Sequence, residues 1–182
     1  MEAEPEKEVV VFTIGHSNRS LEDFVEILKT YDISEVVDVR TIPRSRHNPQ
    51  FNREPLLEAL KSVGIKYLHV PGLGGLRHPH PGSINTGWRN QSFQGYADYM
   101  QTPEFAENVQ ELIDLAKHER IVLMCAEAVP WRCHRSLIAD ALMVRGIKVE
   151  DILSKTNSRV HIVTPWAKLD GKRITYPTET TV

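Results

Sequence analysis

The chain of 182 residues carries a net charge of −2, with 41% hydrophobic and 25% charged residues, which suits one globular domain with a single core. No apolar run approaches the roughly 20 residues that cross a bilayer, and the acidic residues 1–8 contain no apolar signal segment, so we expect no membrane association and a short disordered lead-in. Two cysteines, Cys125 and Cys133, are too few for a disulfide framework and favour the reducing cytoplasm.

Apolar runs and helical patterns alternate along the chain. Short β-branched runs predict strands over residues 9–14, 35–39, 65–70, 121–125 and 147–153, with a further edge strand around residues 161–163. Apolar residues at helical spacing predict four helices, which follow Ser20, cover residues 54–63, follow Thr102 and end at Gly146. This order predicts an α/β fold: a single three-layer domain over residues 9–182, with a mostly parallel open sheet of about five strands flanked by helices and a poorly defined tail from about residue 165.

Polar side chains follow each of the first four predicted strands. Right-handed crossovers bring the carboxyl ends of parallel strands to one rim, where the ligands of open α/β sheets bind. The residues expected there are His16 and Ser17 after the first strand, Arg40, Arg44 and Arg46 after the second, His69 after the third, and Glu127, Cys133, His134 and Arg135 after the fourth. Because the segments that follow all four strands carry such polar or charged side chains, a shared pocket is favoured.

Cys133 is the sharpest candidate for a nucleophile. It lies near a predicted helix N-terminus among Arg132, His134 and Arg135, so the pKa of its thiol is expected to fall below the free value. A nucleophilic or redox role would follow, in which the adjacent His134 is a second catalytic residue. The alternative is that Cys133 packs as a small apolar side chain, which is the role we expect of Cys125 inside its strand.

Glu127 and Arg40 each have a chemical and a structural interpretation. Glu127 is a candidate general acid or base, and its alternative role is an ion pair that positions Arg135 or Arg40. An arginine at the end of a buried strand must be paired or face a ligand, so Arg40 is expected to hold a phosphate or a carboxylate, with Asp38 as the competing partner.

The segment of residues 40–97 is basic, although the whole chain is slightly acidic. It contains eight basic and two acidic residues, a net charge of +6, so the remainder carries −8. The alternative is a solvated basic surface, which we prefer for Lys61 and Lys66. Arginines in predicted loops favour an anion-binding face. The predicted anion-binding residues are His16, Ser17, Arg40, Arg44, Arg46 and Arg135.

Residues 71–95 form a predicted loop that is far longer than the usual connection and contains six glycines and three prolines. Gly74 and Gly75 are expected in a tight turn at its base. We expect residues 76–92, with Arg77 and Arg89, to be mobile without ligand and to close over the rim as a lid.

Three other kinds of site fit poorly. The histidines and cysteines match no structural zinc spacing and have arginine neighbours, so we predict no metal. The glycines after the third strand are not followed directly by a helix, so they make no dinucleotide fingerprint, and we predict no cofactor. The cysteine-phosphatase loop needs five residues between Cys and Arg, whereas six separate Cys125 from Arg132 and no suitable arginine follows Cys133.

Together, these motifs resemble the family of domain of unknown function 488 over about residues 9–153. The segments that carry the resemblance are residues 13–17, Asp38-Val39-Arg40 with Pro43 and Ser45, Phe51, Gly64-Ile65 with Tyr67, residues 73–75, Tyr96, residues 123–127 and Cys133-His134-Arg135. The resemblance implies an α/β fold and marks the same rim, but it implies no activity. The chain departs from the family pattern after Gly146, where residues 150–152 replace an expected His-Ile ending.

Three functions remain open. The leading hypothesis is an enzyme, a hydrolase or a transferase, that uses Cys133, His134 and Glu127 on a phosphorylated, nucleotide or nucleic-acid substrate. The second is a non-catalytic nucleic-acid-binding module, in which the basic segment tracks phosphates and Trp88, Tyr96 or Tyr99 stacks on bases. The third is a thiol-based redox sensor that uses Cys133, with Cys125 as a distant, buried partner. The expected partner is an anionic small molecule or a nucleic acid, and the oligomeric state is open.

Overall fold

One sheet of six strands forms the centre of the fold. The strands are β1 (Val10–Gly15), β2 (Glu35–Asp38), β3 (Lys66–His69), β4 (Ile121–Cys125), β5 (Lys148–Ile152) and β6 (Ser158–Val160). The computed structural model describes residues 8–178, so the predicted lead-in over residues 1–8 lies almost entirely outside the described residues.

The strand order in the sheet is β3-β2-β4-β1-β5-β6. All neighbouring strands pair in parallel except β5 and β6, which pair antiparallel. The predicted α/β fold is therefore confirmed, with six strands where the sequence indicated about five. Because β1 to β5 run in the same direction, the chain segments that follow them leave the sheet at one rim.

Helices cover both faces of the sheet. They are α1 (Leu21–Thr30), α2 (Arg53–Ser62), α3 (Gln91–Tyr99), α4 (Pro103–Ala116) and α5 (Arg135–Met143). One core contains apolar side chains of α1 and α2, and the other contains those of α3, α4 and α5. In β4, Ile121, Leu123 and Cys125 belong to the second core while Val122 and Met124 belong to the first, which explains why this strand is apolar throughout.

The helix starts predicted at Ser20 and Thr102 have the capping geometry that their sequences indicate. The Ser20 hydroxyl accepts a hydrogen bond from the N–H of Asp23, and the Thr102 hydroxyl accepts one from Phe105. Pro103 occupies the first turn of α4, where no N–H partner is needed.

The predicted loop over residues 71–95 is shorter than expected because α3 begins inside it. The side-chain oxygen of Asn90 caps this helix by accepting hydrogen bonds from N–H groups of its first turn. Gly95, in the middle of α3, lowers the helix propensity of this segment and obscures the apolar spacing from which a helix is predicted. A Cβ at Gly95 would lie 2.5 Å from the carbonyl oxygen of Arg77, so close packing requires the glycine there.

The C-terminal part differs from its prediction in two places. The edge strand lies at Ser158–Val160 rather than around residues 161–163. The segment expected to be poorly defined contains a hairpin of β7 (Lys168–Asp170) and β8 (Arg173–Thr175), followed by the fully buried Tyr176.

Candidate active site at the carboxyl ends of the strands

A cavity of about 440 Å³ opens at the rim, between the segments that follow β2, β3 and β4 and the start of α3. The chemically distinctive residues in its wall are Arg40, Arg44, Arg132, Cys125, Cys133 and His134. The start of α3, a helix that the sequence analysis did not predict, adds Asn90, Ser92 and Phe93 to the wall.

The Arg135 side chain lies fully buried beneath the cavity and contacts the sulfur of Cys125. Its Nη1 donates to Cys125 Sγ at 2.9 Å and to the carbonyl oxygen of Glu127 at 2.7 Å, and its Nη2 donates to the carbonyl of Ala128 at 3.3 Å. No carboxylate oxygen of residues 8–178 lies within 4.0 Å of this guanidinium. The sulfur of Cys125 is therefore the contacting atom that can carry a negative charge.

Two cysteine side chains meet at this point. The Sγ atoms of Cys125 and Cys133 are 2.7 Å apart, with the Cys133 thiol as hydrogen-bond donor. Burial alone would raise the pKa of Cys125, but the hydrogen bond from Cys133 and the charge of Arg135 outweigh it and lower this pKa to about 7. Burial raises the pKa of Cys133 well above its ordinary value, and its hydrogen bond with Cys125 adds to the increase.

The predicted lowering of the Cys133 pKa is therefore wrong, and Cys125 has the lowered pKa instead. The guanidinium of Arg135 points at Cys125, whereas Cys133 receives only the backbone N–H of Arg135 at 3.4 Å. The sequence did not reveal this pairing because Cys125 stands in an apolar strand, and its neighbours in the chain carry no positive charge. The signal that could have found it is the arginine two residues after Cys133, at the first turn of a helix that packs on this strand.

His134 is a neutral imidazole beside Cys133. Its Nε2 lies 2.9 Å from the carbonyl oxygen of Val39, which can only accept, so the proton is on Nε2 and the lone pair of Nδ1 faces Cys133 Sγ at 3.5 Å. Burial lowers the pKa of His134 to about 4. The ring packs against Tyr96, and a Cβ at Gly75 would come within 2.6 Å of Nδ1, so the glycine leaves room for the imidazole.

Arg40 forms the second fixed cation of the site. Its Nε and Nη2 donate to the two carboxylate oxygens of Asp38 at 2.9 and 2.8 Å, and its Nη1 lies 3.5 Å from Nε2 of His16. Tyr67 also donates to Asp38, at 2.5 Å. Burial lowers the pKa of His16 to about 4, and its Nδ1 donates to the carbonyl oxygen of Ser17. Asp38, the competing partner expected for Arg40, thus pairs with it, and this ion pair holds the Arg40 guanidinium at the cavity wall.

The ion pairs considered for Glu127 are not formed. Arg40 pairs with Asp38, and Arg135 binds the backbone carbonyl of Glu127 rather than its carboxylate. The Glu127 side chain is exposed at the cavity wall. A Cβ at Gly15 would lie 1.6 Å from the Glu127 carbonyl oxygen, so the end of β1 can approach this crossing only with a glycine.

Ser17, Arg44 and Arg46 occupy different positions around the rim. Ser17 has a left-handed backbone conformation (φ 51°), and its N–H donates to the carbonyl oxygen of Ala126 at 3.0 Å. Arg44 is exposed and lines the cavity. Arg46 is also exposed, but it lines a neighbouring groove rather than the cavity itself.

Of the segment expected to form a lid, Leu76, Asn90 and Ser92 line the cavity, whereas Arg77 and Arg89 do not. The guanidinium of Arg77 stacks on the Tyr99 ring at 3.6 Å and donates to the carbonyl oxygen of Gly74 at 3.3 Å. A Cβ at Gly74 would collide with Thr41. Arg89 is exposed and does not line the cavity. Whether the loop closes on a ligand stays a prediction.

Residues 8–178 contain no candidate metal cluster and no candidate membrane-spanning helix. No three His, Cys, Asp or Glu side chains converge in a way that could hold a metal ion. None of the helices in this part of the chain combines the length and the apolar character needed to cross a membrane.

A mostly parallel sheet with a polar cavity at the carboxyl ends of its strands defines an α/β protein whose cavity lies where such proteins usually bind ligands. The chain belongs to the family of domain of unknown function DUF488, whose model matches residues 20–142. The resemblance inferred from the motifs is thus confirmed, over a shorter range than the expected residues 9–153. No curated protein and no solved structure matches the chain.

Proposed function

We propose that the protein is an enzyme, a hydrolase or a transferase, in which the thiolate of Cys125 attacks an anionic, phosphorylated substrate in the rim cavity. The observation that carries the proposal is the contact between the buried guanidinium of Arg135 and Cys125 Sγ. A guanidinium keeps its charge in any protein environment, and a buried charge without a partner costs several kcal/mol. A thiolate at 2.9 Å supplies the partner. Thiolates, and not thiols, are the nucleophiles of cysteine chemistry.

The charge of the cavity wall favours an anionic substrate. Arg40, Arg44 and Arg132 line it against one carboxylate, that of Glu127. Arg40 is positioned by Asp38 before any ligand binds, which reduces the entropy cost of binding. Arginine binds phosphate and carboxylate oxygens through paired N–H groups. The volume of about 440 Å³ lies in the usual range for small-molecule sites.

The other predicted catalytic residues have supporting roles in this proposal. The Cys133 thiol stabilises the Cys125 thiolate through its hydrogen bond. The neutral His134, with Nδ1 as an acceptor, can take up a proton beside Cys133. The exposed carboxylate of Glu127 can act as a general acid or base at the mouth of the cavity. A reduced thiol pair of this kind fits the cytoplasm expected from the cysteine content.

A second groove favours a polyanion as one class of substrate. It has a volume of about 810 Å³, contains Arg46 and Arg53, and shares Arg44 with the cavity. A nucleic-acid strand could follow this basic path to the thiolate. Of the three side chains expected to stack on bases, Tyr96 and Tyr99 are buried, and Trp88 is half-buried against Phe93 and Trp166. We therefore prefer catalysis on an anionic substrate to a module that only binds nucleic acid.

The test compares two alkylating agents of similar size, neutral iodoacetamide and anionic iodoacetate. We expect Cys125 to be labelled before Cys133, with an apparent pKa near 7, because only its thiolate is stabilised. Arg44→Ala should slow labelling by iodoacetate severalfold and leave iodoacetamide labelling nearly unchanged, and inorganic phosphate should protect Cys125 from both agents.

Lys29→Ala is the matched control, since it removes one exposed positive charge from the C-terminal end of α1, away from the rim cavity. It should leave both rates unchanged. Equal effects of Arg44→Ala on the two agents would refute the anion site. Labelling of Cys133 first, or a Cys125 pKa at the free value, would refute the nucleophile.

A further inference from the structure

We propose that Cys125 and Cys133 are a reversible dithiol–disulfide pair, and that a hydroperoxide entering the cavity switches the site off by joining them. The inference rests on the proposed function in using the thiolate of Cys125, and it adds a modification of that site. These two residues are the only cysteines of the chain, so an intramolecular disulfide has one pairing.

The two sulfur atoms already have the positions that the reaction needs. They are 2.7 Å apart, closer than two sulfur atoms in van der Waals contact, so a bond between them requires no large movement of either strand end or helix. Cys125 ends β4 and Cys133 lies two residues before the start of α5, with the crossing of residues 126–132 between them. Both residues line the cavity, through which a small oxidant can reach sulfur atoms that are otherwise buried.

The two cysteines also differ in the way that a peroxide-reactive pair requires. Cys125 has a guanidinium at 2.9 Å, which stabilises its thiolate, and a thiolate is the form that peroxides oxidise. Among residues 8–178, no cationic side chain donates a hydrogen bond to the sulfur of Cys133. Its thiol donates to Cys125 Sγ, and His134 Nδ1 lies 3.5 Å away. Cys125 is therefore the attacking residue, and Cys133 is the resolving one.

The reaction proceeds in two balanced steps. The thiolate of Cys125 attacks one oxygen of hydrogen peroxide and the O–O bond breaks, giving a sulfenic acid and a hydroxide ion that takes a proton from solvent. The sulfur of Cys133 then attacks the sulfenic sulfur, so that an S–S bond forms and the S–O bond breaks. The hydroxyl group of the sulfenic acid leaves together with the proton of Cys133 as water. His134 Nδ1, 3.5 Å from Cys133 Sγ, is the ring nitrogen beside that proton. The thiolate and the thiol together lose two electrons and one proton, and with the one proton taken from solvent the peroxide becomes two water molecules.

The disulfide would inactivate the site in two ways. It consumes the nucleophile, and it removes the negative charge that Arg135 contacts. A fully buried guanidinium would then have only the carbonyl oxygens of Glu127 and Ala128 as partners. We therefore expect the disulfide to stabilise the region around α5 less than a disulfide usually does, because the buried Arg135 has lost its anionic partner. A thiol reductant should restore the negative charge of Cys125 and the activity.

The experiment measures the intact mass of the full chain after treatment with hydrogen peroxide and after alkylation under denaturing conditions. The wild type should become about 2 Da lighter, form no disulfide-linked dimer without reductant, and accept no alkyl group until a dithiol reductant restores two alkylation sites. Cys133→Ser should instead gain oxygen on Cys125, because no resolving thiol remains. Cys125→Ser should stay unchanged at the same dose, and Cys133→Ala repeats the test with a second side chain.

The outcomes separate this inference from the proposed function. If Cys125 alkylates with a pKa near 7 but peroxide produces no disulfide, or joins two chains instead, the switch is refuted and the nucleophile stands. If the disulfide forms inside one chain while phosphate and Arg44→Ala leave iodoacetate labelling unaffected, the switch stands and the anion site fails. If neither cysteine reacts in the native protein, both proposals fail.

Discussion

At the scale of single residues, Arg135 is the unusual feature. It is the largest fully buried side chain of residues 8–178, and it carries a permanent charge. Buried arginines usually pair with carboxylates, as Arg40 does with Asp38 in this protein. Arg135 instead contacts a sulfur atom and two carbonyl oxygens, which stabilise a cation less than a carboxylate does. The contact with Cys125 is therefore the residue-level origin of the chemistry proposed for the site.

Replacing Arg135 should change the ionisation of Cys125. In Arg135→Gln the guanidinium is lost, so we expect the pKa of Cys125 to rise above its value of about 7 and alkylation at pH 7 to slow about tenfold or more. Rates of iodoacetamide labelling across pH measure the change. Arg145→Gln, just beyond the end of the same helix, is the control and should leave the rate unchanged. An unchanged profile in Arg135→Gln would show that Arg135 does not determine the Cys125 ionisation.

Residues close in sequence were easier to interpret than residues brought together by the fold. The pairing of Asp38 with Arg40 was foreseeable as an alternative, because alternation in a strand places positions two apart on one face. The pairing of Cys125 with Arg135 spans a strand, a crossing and a helix start, and it depends on how α5 packs on β4. No local pattern reports that packing, so the sequence directed attention to Cys133 instead.

At the scale of elements, α3 and the loop before it form one unit held by Asp98. This buried carboxylate accepts hydrogen bonds from the N–H of His80, the hydroxyl of Ser83 and the amide of Asn85. Burial alone would raise the pKa of Asp98, but these hydrogen bonds outweigh it and lower the pKa. The loop expected to act as a lid is thus tied to a helix whose first residues line the cavity.

Removing Asp98 should release this loop. Asp98→Ala leaves three donors without their acceptor, so we expect trypsin to cleave after Arg77 or Arg89 several times faster than in the wild type. Cleavage sites are read by mass spectrometry, with Asp114→Ala on the exposed face of α4 as the control. If the first cuts in Asp98→Ala fall outside residues 76–92, the anchoring role is refuted. Protection by phosphate in the wild type would support closure of the loop over the rim.

The sequence indicated most elements because local signals agreed with the fold. Ser20 and Thr102 are caps whose partners lie three residues away, and strand β4 is apolar on both faces because both are buried. Two errors have the same cause. Helix α3 contains Gly95, which close packing requires, and the β7–β8 hairpin is stabilised by distant contacts such as the burial of Tyr176. In both cases tertiary packing outweighs local propensity.

At the scale of the whole molecule, a buried polar cluster joins the C-terminal segment to the sheet and to α5. His161 Nε2 lies 2.7 Å from the carboxylate of Asp140, and its Nδ1 lies 3.7 Å from that of Asp151. Tyr176 also donates to Asp140, at 2.8 Å. Burial alone would lower the pKa of His161, but the hydrogen bond to Asp140 and the charge of Asp151 outweigh it and raise the pKa to about 9.

This cluster should make stability depend on pH. The folded protein holds a proton on His161 that the unfolded chain, with a pKa near 6.5, releases. The stabilisation is therefore complete below about pH 6.5 and is lost as the pH rises through 9. We expect the free energy of unfolding to fall by about 1–3 kcal/mol more in the wild type than in His161→Gln over this range.

Denaturant unfolding of the reduced protein at pH 6.5 and pH 9 measures the difference. Cys125 contributes with the opposite sign, because its lower pKa in the folded state adds stability above pH 7, but it does so in both proteins and cancels. His118→Gln, an exposed histidine, is the control. If the free energy of unfolding falls as much between pH 6.5 and pH 9 in His161→Gln as in the wild type, this role of His161 is ruled out.

The position of β1 in the sheet has a consequence for the synthesis of the protein on the ribosome. β1 is made first but lies between β4 and β5, and Phe12 pairs with Val122. At ~5–20 residues per second, roughly 5–20 s pass between the synthesis of these two partners. During that time an apolar strand has neither of its neighbours, so its exposure is determined by the pace of translation rather than by the rate of folding. The nascent chain is therefore vulnerable to aggregation at β1 until β4 and β5 have been made.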